Sequence, residues 1–186
     1  MKSSELSHQQ IIELTENWLE KAVIGLNLCP FAKAPHVKKQ IRYVVSEATT
    51  PDALLADLVR ELETLAEANP EKIETTLLIH PFTLNDFLDY NDFIEVADDA
   101  LVELDLDGIL QVASFHPDYQ FADTAPDDIE NYTNRAPFPT LHLLREESVD
   151  AAVEAFPEAE TIYEKNIQTM SELGHAGWQK LFPKEA

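Results

Sequence analysis

The chain has 186 residues, long enough to bury a substantial core as one globular domain over residues 1–186. Its 13 Lys and Arg stand against 35 Asp and Glu, a formal charge of −22, and a field of that sign repels phosphate backbones and anionic lipid surfaces. No nucleic acid and no membrane are therefore expected as partners; the densest basic cluster, Lys33, Lys38, Lys39 and Arg42, suits a small anion better than a duplex.

The first element in chain order reads as an amphipathic helix. Ile11, Leu14, Trp18, Ala22 and Leu26 recur at steps of three and four, Ile12, Leu19 and Val23 widen the stripe, and Pro30 and Pro35 end it. The β-branched run "IRYVVS" is the first strand. Thr50-Pro51-Asp52 then opens a helix with a capping hydroxyl, proline at the first helical position and a carboxylate at the positive end. Leu54, Leu58, Leu62 and Leu65 form its buried stripe, and Asn69-Pro70 stops it.

"IETTLLIH" is the second strand. Thr83 and Asp86 open a third helix carrying Phe87, Tyr90, Ile94, Ala97, Leu101 and Leu104, and Asp107-Gly108 breaks it before the third strand, "GILQVASF". Residues 116–139 are rich in Pro and Asp without a sustained period, a loop length that in a compact domain signals function or mobility. "TLHLLR" is the fourth strand. Ser148 caps a short helix, Pro157 opens a longer one with Ile162, Tyr163, Ile167 and Met170, Gly174 terminates it, and a last segment holds Trp178 and Leu181.

Strands separated by single helices predict an α/β fold: a mixed, largely parallel sheet of about four strands with helices packed on it. The fourth strand can run either way, because the loop before it can cross over or turn back. A two-layer α+β sandwich is the alternative if helices cover one face only.

Parallel second and third strands would deliver "LLIHPF" and "VASFHPDY" to the same edge of the sheet, and ligands of open α/β sheets bind outside the carboxyl ends of the strands. His80 and His116 are thus the first candidates, each with its backbone biased toward extended geometry by the proline that follows. Asp118 can orient an imidazole or add an oxygen ligand, although an aspartate after proline also serves as a turn residue. His80, His116 and Asp118 would make a two-histidine, one-carboxylate metal set, with Cys29 as a soft fourth ligand, but the spacing matches no standard metal motif. No cofactor is predicted, and a divalent metal is the alternative.

Cys29, in "NLCPFA", is the only cysteine; it excludes an intramolecular disulfide and fits a reducing cytosol. As a nucleophile it would need a neighbouring imidazole or cation, and the C-terminal end of a helix raises a thiol pKa rather than lowering it. Arg135, just ahead of the fourth strand with Asn134 beside it, could clamp a carboxylate or phosphate, or pair with Asp127, Asp128 or Glu130. His142, between Leu141 and Leu143, reads as a sheet-face histidine. Four glycines leave no nucleotide-binding loop, and neither G-x-S-x-G nor H-E-x-x-H occurs. The N-terminal segment lacks the apolar core of a signal peptide, and no apolar run approaches bilayer length, so the expected place is the cytoplasm.

"GLNLCPFA", "FHPDYQF", "NRAPFPTLHLLRE" and "YEKNIQTM" together resemble an uncharacterised bacterial family, a domain of unknown function covering nearly the whole chain. The resemblance implies a stand-alone soluble domain and offers Cys29, His116, Asp118, Asn134, Arg135 and His142 as candidate positions. It supplies no reaction. The leading functional reading is a small-molecule enzyme using histidine acid–base chemistry (catalytic His116, Asp118, His80 and Cys29) on an anionic substrate bound by Arg135 and Asn134. The alternatives are a metal-binding protein and a non-catalytic acidic interaction module.

Overall fold

The computed structural model describes residues 5–155 and 161–182. The four apolar runs become strands β1 (Ile41–Val45), β2 (Thr75–Ile79), β3 (Leu110–Phe115) and β4 (Thr140–Arg145), in the order β1-β2-β4-β3. β1 pairs parallel with β2, and β4 runs antiparallel to both its neighbours, so β1, β2 and β3 share one direction while β4 returns between β2 and β3. The direction left open by the sequence is thereby set. The 116–139 loop stays at the carboxyl edge and feeds β4 from there, through the bonds His116 N–Asn134 O (3.2 Å) and His80 N–Pro139 O (3.0 Å).

Helices α3 (Pro51–Glu67) and α4 (Phe87–Glu103) cover one face. Thr50 Oγ1 accepts from Ala53 N–H, and Leu54, Leu58, Leu62 and Leu65 are fully buried against Leu78, Leu141 and Leu143, each contributing about 2–3 kcal/mol. The same helix buries Glu61, which is tolerated because Arg42 donates to it at 2.8 Å and 3.3 Å. Asp86 caps α4 by accepting from Leu88 and Asp89 N–H.

The opposite face carries Trp18, Leu19, Ala22 and Val23 against Phe115, Tyr43 and Ile41, so helices cover both faces and the fold is α/β rather than a two-layer sandwich. Here the sequence pattern and the structure part. The single helix expected through Leu26 is an α-helix, α1 (His8–Trp18), continued by a π-helix (Leu19–Ile24). Trp18, Leu19, Ala22 and Val23 are all buried, a face broader than an α-helical stripe, and the wider π turn gathers them on one side while Leu14 is left 40% exposed. The wide turn persists to the exit, where Gly25 N bonds Glu20 O and Leu28 N bonds Val23 O, both at 2.9 Å. A Cβ on Gly25 would sit 2.4 Å from Lys21 O.

A short helix, α2 (Lys33–Val37), spans Pro35, where the sequence pattern predicts a helix end; in a first turn its missing N–H has no helical partner to lose. After β4, α5 (Glu146–Ala155) begins two residues ahead of the expected cap Ser148. In α6 (Ile162–Leu181), Gly174 at φ 60° and ψ 174° interrupts the helix where termination was expected, and Trp178 continues beyond the kink. Pro157, the expected start of that helix, lies outside the described residues. Among the described residues no helix is long and apolar enough to cross a membrane.

Candidate functional site

Because β2 and β3 point the same way, Ile79 and Phe115 both face Thr140 across the ladder, and His80 and His116 leave the sheet on either side of the start of β4. One intervening strand puts their backbones about 10 Å apart. Their rings converge on Tyr90 of α4, with His80 stacked on it at 5.7 Å between centroids and His116 tilted at 5.0 Å. The Tyr90 hydroxyl donates to Thr140 O (2.9 Å) and accepts from Phe115 N–H (3.0 Å), closing the end of the sheet. Burial raises its pKa.

Both histidines are fully buried, and both grip the segment joining β2 to α4. His80 Nδ1–H donates to Thr83 O (3.2 Å), and His116 Nε2–H donates to the next carbonyl, Leu84 O (3.1 Å). A carbonyl only accepts, so these bonds assign opposite tautomers to the two rings. Leu84 sits at φ 55°, a left-handed conformation that a leucine holds only when its surroundings impose it.

The remaining nitrogens differ. His116 Nδ1 accepts the Asp118 N–H at 3.0 Å, so this imidazole is spent on backbone at both ends. Among the described residues His80 Nε2 is buried without a partner. Burial above all, with a smaller contribution from the neighbouring His116, holds the His80 pKa down at about 4 against the raising effect of the Thr83 carbonyl. Burial also lowers the His116 pKa, against the pull of Leu84 O, Asp118 and Asp86.

The other sequence candidates are placed as follows. Asp118 orients His116 with its backbone N–H, while its residue as a whole is exposed. Asn134 joins the same corner, accepting His116 N–H at its carbonyl and donating from Nδ2 to Ser114 O at 3.2 Å. Arg135 is turned into the loop: Nε donates to Tyr119 O (3.1 Å), Nη2 to Pro126 O (2.6 Å), and the guanidinium lies 4.3 Å from the centre of the Tyr132 ring. Among the described residues it makes no ion pair with Asp127, Asp128 or Glu130.

Cys29 is on the other face, packed against the Trp18–Val23 cluster, where burial raises its thiol pKa. His142 shares that face; Thr75 Oγ1 donates to Leu143 O (2.7 Å) and therefore accepts the His142 Nε2–H (2.6 Å). Burial lowers the His142 pKa to about 4.

His80, His116 and Asp118 do not form a ligand set, because His116 has no lone pair to offer while Nδ1 holds the Asp118 N–H. Among the described residues no group of three or more His, Cys, Asp or Glu is gathered to hold a metal ion.

Sequence reasoning missed Asn131. It is fully buried, accepts from Phe121 N–H (2.9 Å) and Thr124 Oγ1 (2.8 Å) at Oδ1, and donates to Ala125 O (2.8 Å) from Nδ2. The available signal was the loop itself. Asn131 sits in a 3-10 helix (Ile129–Asn134) and serves the irregular stretch 121–125, whose backbone needs side-chain partners, and asparagine offers donor and acceptor together.

Neither a curated protein nor a solved structure matches the chain. A family model described as "Protein of unknown function (DUF1415)" matches residues 10–180, which take in the π-helix, the whole sheet and the two-histidine corner, and the chain belongs to that family.

Proposed function

We propose that the protein is a small-molecule enzyme that uses imidazole acid–base chemistry at the carboxyl edge of its sheet, with His80 as the reacting base. One observation carries this reading: among the described residues His80 Nε2 is a buried lone pair without a partner, on a ring whose other nitrogen is already committed to Thr83 O. A buried acceptor left unpaired costs about 1–3 kcal/mol, and such groups in folded proteins mark waters, ligands or reacting atoms. The low pKa keeps that nitrogen in its basic form at neutral pH.

In this reading His116 and Tyr90 are positioning residues, since their polar atoms are spent on backbone. Substrate reaches His80 when the segment 81–86 swings aside, breaking the two histidine–carbonyl bonds at about 1 kcal/mol net each. The anionic substrate class rests on Arg135, whose Nη1 carries none of the loop's carbonyl bonds.

The test screens a panel of small carboxylates and phosphate esters for turnover, then compares His80→Asn, His80→Gln and His116→Asn, each checked for folding by circular dichroism. Loss of the base lowers kcat by about 10²–10⁴ in both His80 variants with KM nearly unchanged. Full kcat in a folded His80 variant would rule out this assignment.

A further inference from the structure

Two of the motif segments contribute no residue to the two-histidine corner, although Tyr163 packs edge-on against Phe121 of the loop at 6.0 Å, and they meet each other. "GLNLCPFA" leaves the π-helix and "YEKNIQTM" lies on α6. Asn166, 8% exposed, donates from Nδ2 to Leu28 O at 2.9 Å and ties the two together. Beside this bond lies a cavity of about 310 Å³. Leu26, Pro30 and Ile162 supply an apolar wall, and Asn166, Lys165 and Glu172 supply polar groups.

The two charges are arranged with a direction. Lys165 and Glu172 are seven residues apart, two turns along one stripe of α6, which separates their backbones by about 10 Å. Glu172 Oε1 is held by Gln168 Nε2–H at 2.8 Å, so the carboxylate is oriented while its second oxygen carries no bond from Gln168. Opposite charges at the two ends of a partly apolar cleft match a ligand with opposite charges at its own two ends. A net-neutral molecule is also the class least affected by a protein carrying −22.

We infer that the cleft between the π-helix exit and α6 binds a small zwitterion, an aliphatic chain with an ammonium at one end and a carboxylate at the other. The ammonium sits at Glu172, the carboxylate lies toward Lys165, and the methylenes rest on Leu26, Pro30 and Ile162. This site is separate from the carboxyl edge and stands or falls independently of His80.

Isothermal titration with aminohexanoate, hexylamine and hexanoate tests it on the whole chain. The expected result is saturable binding of aminohexanoate, with both singly charged analogues weaker by about tenfold or more. Glu172→Gln, a substitution at an exposed position, should weaken aminohexanoate by about tenfold and leave hexanoate unchanged. The inference is overturned by no saturation up to about 10 mM, by equal binding of all three probes, or by an unchanged affinity in Glu172→Gln.

Discussion

Two neutral histidines, His80 fully buried and His142 partly so, make this fold acid-sensitive. His80 and His142 are both held near pKa 4 by burial, against about 6.5 in an unfolded chain. The unfolded state therefore takes up protons first as the pH drops. Stability from these groups is complete above about pH 6.5 and is lost progressively as the pH falls toward 4. Between about pH 7.5 and pH 5, linkage assigns about 2 kcal/mol of loss to each histidine, and about 4 kcal/mol to the pair. His116, lowered by the same burial, adds to the loss in the same direction.

Urea unfolding followed by the fluorescence of Trp18 and Trp178 gives the free energies by linear extrapolation. The diagnostic comparison is His142→Gln, which can still donate to Thr75 Oγ1 but does not titrate. Relief of carboxylate repulsion on acidification is common to both proteins and cancels in the difference. The variant should lose about 2 kcal/mol less than the parent over that interval. Equal losses would mean that His142 is protonated in the fold as readily as in the unfolded chain, and would refute the burial argument.

Tyr90→Phe should cost about 2–4 kcal/mol in the same unfolding assay, because it strands Phe115 N–H and Thr140 O together in the core, and a cost below about 0.5 kcal/mol would contradict that role. Arg135→Ala should speed proteolytic cleavage within residues 119–128 with little change in Tm, and Arg135→Lys should not restore protection, since lysine cannot bridge Tyr119 O and Pro126 O with one planar group. Cys29 should react with a thiol reagent at neutral pH more slowly than a free thiol and reach the free rate in denaturant, whereas rapid labelling of the native protein would contradict its burial.

How much of this was legible in the sequence varies with the physics involved. The strands, the Thr50 and Asp86 caps and the leucine stripe of α3 were readable because each is a local pattern with a local cause. The meeting of His80 and His116 followed from topology: two strands of one direction must end on one edge. Their bonding was not readable. The acceptors are Thr83 O and Leu84 O, backbone groups that any residue would present, aimed by a left-handed Leu84 with no glycine to announce it.

The same applies to Asp118, which acts through its N–H where the sequence directs attention to its carboxylate. The π-helix escaped notice because its signal, buried Leu19, Ala22 and Val23 following buried Trp18, also satisfies a widened α-helical stripe. Arg135 stood out as a cation in an acidic chain, but its partners are carbonyls and a tyrosine ring rather than charges.

The most direct test of the account is the tautomeric state of the two edge histidines, read from long-range ¹⁵N–¹H correlations in protein labelled at histidine near neutral pH. Two neutral rings in opposite tautomers are expected. His80 should be protonated at Nδ1 with Nε2 showing the shift of a bare nitrogen, and His116 should be protonated at Nε2. A charged His80, or a His80 protonated at Nε2, would leave no free base at the carboxyl edge and would contradict the central claim.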